Sequence, residues 1–249
     1  MNANNGEMIA METRLLLNRP GDDYISDDLR HLLHAIGTMK RTRKDSYLFH
    51  EGMDAKEIFL VKSGLIQISK LASDGRELNL RLCKSNTIIG ELNLFSDHPT
   101  YFLSAKVIES GEVLAIDKEK LEQEISKNAP LAMEMMKWST NHMRKFQSKI
   151  RDLLLNGKKG ALYSTLIRLS NSYGIKHSEG IIIDLPLTNQ ELAKFCSCTR
   201  ESVNRMLVEL RKQNVLEIYP NKRILIKDIQ FLRNENICEN CPIDICNIN

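Results

Sequence analysis

The chain has 249 residues, 42% hydrophobic and 27% charged, enough to bury one large core or two ordinary ones. No run approaches the roughly 18 apolar residues a membrane helix needs. The N-terminus, polar with acidic Glu7 and Glu12, lacks the basic-then-apolar order of a signal peptide, so the expected compartment is the cytoplasm, with no membrane partner. Formal net charge is +3, and its partition is uneven: residues 1–155 carry 22 basic and 22 acidic side chains, residues 156–236 carry 13 and 8, and the tail adds only Glu239 and Asp244. A basic excess in one segment suits phosphate binding but also suits an ordinary domain surface.

From Lys40 to about Ile116, short apolar or alternating runs are broken by turn residues: YLF at 47, IFLV at 58, LIQISKL at 65, LNLRL at 78 and VLAI at 113. These read as strands. Glycines at 52, 64, 75, 90 and 111 separate the runs, and Asp74-Gly75 signals a hairpin. The pattern predicts an antiparallel β-roll of jelly-roll type within residues 1–126. After Asp117, KEKLEQEISKN predicts a short helix, and Pro130 opens a stretch to Leu155 without Gly or Pro, a long helix spanning residues 127–156. In it Leu131, Met135, Trp138, His142, Phe146, Ile150 and Leu153 recur every three or four residues, a stripe long enough to pair with its twin in a homodimer, the alternative being a single amphipathic helix buried within its own chain.

Gly157-Lys-Lys-Gly160 reads as a hinge. Beyond it LYSTLIRLSNSYG predicts an amphipathic helix, IIIDL at 181 a strand, and EIYP, NK and RILI a hairpin ending near Asp228. With two helices between strand and hairpin, residues 157–232 take the layout of a winged helix-turn-helix. The overall class is therefore α+β.

Within LTNQELAKFCSCTRESVNRML, Thr188 is the expected first N-cap, with Glu191 completing a capping box. Leu192, Ala193 and Phe195 form an inner face, and the turn falls at Cys196 to Cys198. Thr199 caps a second helix whose Val203, Met206, Leu207 and Leu210 face inward. Arg200, Glu201, Asn204 and Arg205 are left pointing outward. Arginine pairs with guanine, glutamate accepts from cytosine and asparagine can pair with adenine, so the helix N-terminus has the chemistry to read a major groove. The candidate DNA contacts are Thr199, Arg200, Glu201, Ser202, Asn204 and Arg205.

Residues 233–249 form a cysteine-rich tail, with Cys238, Cys241 and Cys246 at C-x2-C-x4-C. Three thiolates at this spacing can hold an iron-sulfur cluster or zinc, each normally with a fourth ligand, and spacing does not separate the two. Cys83, Cys196 and Cys198 read as packed residues, and His142 as a packed or interfacial histidine. No nucleophile-base set, Gly-rich phosphate loop or pair of catalytic carboxylates occurs, so catalysis is not expected.

The β-domain with VKSGLIQI and GELNLF, the long helix and the segment LTNQELAKFCSCTRESVNRML together resemble the CRP/FNR superfamily of bacterial transcription regulators across nearly the whole chain. RESVNR is similar to the R-E-x-x-x-R of the cyclic-AMP receptor branch, which implies DNA contacts by Arg200, Glu201 and Arg205, a palindromic TGTGA-type site, and RNA polymerase as a partner of an activator. In the nucleotide-binding branch an arginine meets the cyclic phosphate, and Leu103 stands at that position here, so no cyclic nucleotide is expected. The tail resembles FNR proteins of Bacillus and its relatives. That resemblance implies a 4Fe-4S cluster with Asp152, in KIRDLLL, as fourth ligand, and an oxygen-responsive regulator. The alternative is a zinc-stapled regulator whose β-roll senses a small ligand.

Overall fold

The computed structural model describes residues 25–249; Glu7 and Glu12 lie outside them. Helix α1 (Asp27–Ile36) starts where the Ser26 hydroxyl accepts the Leu29 N–H, with Asp27 and Asp28 in the first turn facing the positive end of the helix dipole. Only Leu29 and Leu33 are buried along it, so apolar periodicity does not mark this helix in the sequence.

Six strands follow: β1 (Gly37–Thr42), β2 (Tyr47–Phe49), β3 (Glu57–Leu71), β4 (Glu77–Cys83), β5 (Ile88–Ile89) and β6 (Ser104–Asp117). They pair antiparallel in the order β1-β6-β3-β4, with β2 on β6 and β5 on β3, which is the predicted β-roll. IFLV and LIQISKL prove to be a single strand. β3 runs through Gly64 with register shifts against β6 on either side. Gly64 has φ +86°, and a Cβ there would stand 2.6 Å from the Glu109 carbonyl oxygen, so this glycine permits a bend inside a strand and does not end it. The Asp74-Gly75 turn closes the β3–β4 hairpin as expected, with the Ala72 N–H donating to the Arg76 carbonyl at 2.8 Å.

Helix α2 (Lys118–Ser126), capped by Asp117, leads into the long helix α3 (Ala129–Leu155), capped by Asn128 with Pro130 in its first turn. Its predicted dimer stripe is corrected by the packing. Leu131, Met135 and Trp138 bury themselves against Leu29, Ile58 and Leu121 of the same chain, and His142 is buried beside Trp138. Ile150 belongs to a different face, exposed together with Met133, Met136, Met143 and Leu154. α3 carries apolar residues at helical spacing on two faces, and periodicity cannot tell which one the β-roll covers.

Asn156 alone separates α3 from α4 (Gly157–Tyr173), so the expected Gly157–Gly160 hinge is instead the first turn of a helix and the break is one residue long. The rest is a winged helix-turn-helix. A four-stranded sheet of β7 (Gly174–His177), β8 (Gly180–Ile183), β9 (Leu216–Ile218) and β10 (Ile224–Ile226), ordered β7-β8-β10-β9, flanks α5 (Asn189–Phe195) and α6 (Arg200–Lys212). A last helix, α7 (Ile229–Glu235), crosses the boundary drawn at residue 232. Leu65 and Leu82 of the β-roll share one buried cluster with Leu166, Phe195, Leu207 and the tail residue Ile248, so the two domains and the tail meet in a common core. Among the described residues no helix is long and apolar enough to cross a membrane.

Candidate DNA interface and cysteine centre

The reading element forms as its sequence requires. The Thr188 hydroxyl accepts the Glu191 N–H while the Glu191 carboxylate accepts the Thr188 N–H, a complete capping box. Ser197, at φ 50°, turns the chain, and the Thr199 hydroxyl caps α6 by accepting the Ser202 N–H at 3.2 Å. Leu192, Ala193, Phe195, Val203, Leu207 and Leu210 are buried beneath this pair, which fixes the direction in which α6 presents its other side. Thr199, Arg200, Glu201, Asn204 and Arg205 are exposed on that side. Asn204 Oδ1 accepts from Asn189 Nδ2 at 3.0 Å, which holds the amide in place. Ser202 does not join them: it is buried, and its Oγ accepts from the Thr199 hydroxyl, so it belongs to the cap.

Cys196 and Cys198 behave as packed residues. Burial pushes the Cys196 thiol up to about 12, far from thiolate chemistry at neutral pH. Inside the β-roll, the cavity next to Gly90 measures only about 30 Å³ and is lined by Phe49, Ile68, Tyr101 and Leu103. Arg81 and Glu91 also line it, and they form a buried pair at 2.8 Å.

The three tail cysteines come together. Cys238, Cys241 and Cys246 line one cavity of about 290 Å³ with Ile167, Asn171 and Arg233. α7 delivers the first of them through the Cys238 N–H on the Arg233 carbonyl at 2.9 Å, and Asn171 Nδ2 holds the Cys246 carbonyl at 2.6 Å. Asp152, buried on α3, does not line the cavity. Its Oδ1 accepts from Nε and Nη2 of Arg151, and its Oδ2 from Ser164 Oγ and Arg168 Nη2. Burial works to raise the Asp152 carboxyl, and hydrogen bonds from Ser164, Arg168 and Arg151 overcome it, holding the group below the ordinary carboxylate value.

One guanidinium separates this carboxylate from the thiols. Nη2 of Arg151 stands 2.8 Å from Asp152 Oδ1 and 4.0 Å from Cys241 Sγ, while its Nη1 pairs with Glu239. Burial pushes the Cys246 thiol up; Arg168 opposes this, and the charges of Cys238, Cys241 and Asp152 add to it, so the four candidate ligands sense one another. Among the described residues no three His, Cys, Asp or Glu side chains converge closely enough to hold a single metal ion. Arg151 lies within KIRDLLL without being singled out there, and Ser164, Arg168 and Arg233 are not marked by any motif in the sequence. The available signal was Arg168, one cation in the otherwise apolar and small run LYSTLIRLS.

Two family profiles match: cyclic nucleotide-binding domains over residues 39–128, and Crp-like helix-turn-helix domains over residues 160–235. The anaerobic regulatory protein of Bacillus subtilis (strain 168) is 59% identical over 231 residues, covering 92% of this chain and 97% of that protein. The lactate racemization regulatory protein of Lactiplantibacillus plantarum is 29% identical, covering 84% of this chain and 97% of its own length. Among solved structures, FixK2 from Bradyrhizobium japonicum superposes with a TM-score of 0.70 at 20% identity, covering 81% of this chain and 98% of that one. With a β-roll joined by a long helix to an outward-facing helix-turn-helix, and a relative this similar over nearly its whole length, the chain belongs to the CRP/FNR superfamily of DNA-binding transcription regulators, which are not enzymes.

Proposed function

We propose that this regulator reads DNA when oxygen is scarce, under the control of a 4Fe-4S cluster held by Cys238, Cys241, Cys246 and Asp152. The observation that carries the reading is the gathering of three tail thiols around one cavity with a carboxylate one guanidinium away. Zinc asks its ligands to meet about 2–2.3 Å from one point. The looser grouping here suits a larger inorganic core, and thiolate ligands suit iron-sulfur chemistry. The name of the Bacillus subtilis relative, an anaerobic regulatory protein, points the same way.

A cluster with one carboxylate ligand supplies an oxygen-labile link between tail and α3. The chain's own residues carry the consequence to DNA. The Ile248 carbonyl accepts the Leu82 N–H of the β-roll at 3.0 Å, and the Ile248 N–H donates to Ser172 Oγ on α4 at 3.0 Å. The position of the tail therefore bears on how the winged domain sits against the β-roll. The exposed stripe of Met133, Met136, Met143, Ile150 and Leu154 supports a homodimer, whose two recognition helices would read a palindromic TGTGA-type site. RNA polymerase is the partner this role implies. The small size of the β-roll cavity, whose Arg81 is already paired with Glu91, supports a sensor that takes no cyclic nucleotide there.

The test is anaerobic purification with iron and sulfide analysis, followed by DNA binding before and after exposure to air. Brown protein whose site-specific binding falls in air is expected, as is loss of binding in Cys241→Ser. Zinc without sulfide, or unchanged anaerobic binding by Cys241→Ser, would sink the proposal.

A further inference from the structure

Among the described residues Arg168 is the bulkiest side chain to be fully buried. It sits in the middle of α4, between Ile167 and Leu169, where a guanidinium is costly unless its donors are satisfied. They are. Nε donates to Ser164 Oγ at 3.2 Å, Nη2 to Asp152 Oδ2 and Ser148 Oγ at 2.8 Å each, and Nη1 to the carbonyls of Ile245 at 3.0 Å and Asn247 at 3.4 Å. One group thus ties α3, α4 and the tail together. The two tail carbonyls belong to the residues on either side of Cys246.

We infer that Arg168 is the positioning residue of the cluster site, holding Asp152 by Oδ2 and the main chain around Cys246 so that Oδ1 is the oxygen offered to iron. The inference rests on the cluster reading above. A carboxylate has about four lone-pair sites. The two on Oδ2 are taken by Ser164 and Arg168, both buried, and the two on Oδ1 by Arg151, whose side chain is 29% exposed and also pairs with Glu239. Arg151 is therefore the partner that gives way, and Arg168 the one that stays.

A residue that only staples the tail to α3 would matter whatever the fourth ligand is. A residue that presents a carboxylate matters only while the fourth ligand is a carboxylate. The experiment compares Arg168→Lys in the otherwise native full chain and in an Asp152→Cys background, both reconstituted anaerobically with iron and sulfide. The readouts are the rate of cluster loss to a ferrous chelator and the unfolding midpoint. Lysine keeps the charge but cannot span three elements. Loss is expected to quicken about tenfold or more with Asp152 present, the usual scale for a residue that orients a ligand, and less than about twofold with the cysteine. Equal quickening in both backgrounds, or none in either, overturns the assignment.

If Arg168→Lys does not fold, Ser164→Ala, which removes the other holder of Oδ2, takes its place: quickened loss confined to the Asp152 background supports the assignment, and equal or absent quickening overturns it. A native chain that takes up no iron and sulfide fails at an earlier step: it refutes the cluster reading, and this inference with it, before any variant is compared.

Discussion

Lys194, on the first helix of the helix-turn-helix, stands 2.5 Å from Oε2 of Glu77 on β4 of the β-roll. Gln67 Nε2 holds the other carboxylate oxygen at 3.2 Å, so a partly buried ion pair joins the two domains directly. Burial works to raise the Glu77 carboxyl, and hydrogen bonds from Lys194 and Ser69 prevail, leaving it below its ordinary value. A carboxyl depressed in the folded state adds stability above its unfolded pKa, near 4.3, and that contribution fades as pH falls through the folded value. Glu77→Gln should therefore lower unfolding stability by about 1 kcal/mol at neutral pH, a figure reduced for the pair's partial exposure. The gap should close on acidification. Urea titrations at neutral and acid pH decide the point, and a gap that ignores pH would rule out the ion pair as its source.

Thr199 and Arg205 sit on the same helix and should fail in different ways. Thr199→Ala removes the cap on the Ser202 N–H, which should cost about 1 kcal/mol of stability. Arg205→Ala removes an exposed side chain, leaves the unfolding midpoint unchanged, and should weaken specific DNA binding by about 1–3 kcal/mol, roughly fivefold to 150-fold. Unfolding curves and fluorescence anisotropy with a labelled duplex separate the two. An Arg205→Ala chain that binds its site normally removes this residue from the interface.

Most of the fold is legible in the sequence because its signals are local. Thr188, Glu191 and Thr199 announce caps, Asp74-Gly75 announces a turn, and the structure makes each of them. What stays hidden is long-range. Gly64 reads as a break because nothing local shows the Glu109 carbonyl pressing on it from β6. Periodicity picks out a stripe on α3 that its own chain covers, because the residues that cover it, Leu29 of α1, Ile58 of β3 and Leu121 of α2, meet it only in the folded chain. In the site, the cysteine spacing is plain, but Arg168 meets Asp152 and the tail only after three segments fold together.

The outer stripe of α3 gives a direct test of assembly. Met143 and Ile150 lie seven residues apart on the exposed face, the repeat of a two-helix seam. Met143→Glu should turn a dimer into a monomer in sedimentation equilibrium while leaving the β-roll folded, because neither residue touches the chain's own core. Trp138→Ala, on the covered face, should instead cost about 3–5 kcal/mol of folding stability. Met143→Glu that sediments as a dimer would move the seam elsewhere.

Lys149 lies where β4, α3 and α5 meet, fully buried, its Nζ donating to the carbonyls of Asn79 and Leu80 at 2.9 Å each and lying 5.2 Å from the Phe195 ring centre. Burial pulls its pKa down from 10.5 to about 7; Arg168 adds to the fall, and Cys196 opposes it. The sign follows from proton counts. Between the folded and unfolded values the unfolded chain binds one proton more, so stability rises with pH, by at most about 1.4 kcal/mol per pH unit from this group. Below the folded value the penalty for burying the charge is present in full and no longer changes. The difference in unfolding free energy between the native chain and Lys149→Met, measured in steps from neutral to about pH 9, should therefore climb; taking the difference cancels the opposite trend of the raised Cys196 and Cys246 thiols, which the two chains share. Lys149→Met removes the titrating group, and it also takes the lysine donor from two carbonyls, at a cost of about 1–3 kcal/mol each. A difference that stays level across this range would mean that the ammonium stays charged in the fold, and that the seam between β-roll and DNA-reading domain tolerates a full positive charge.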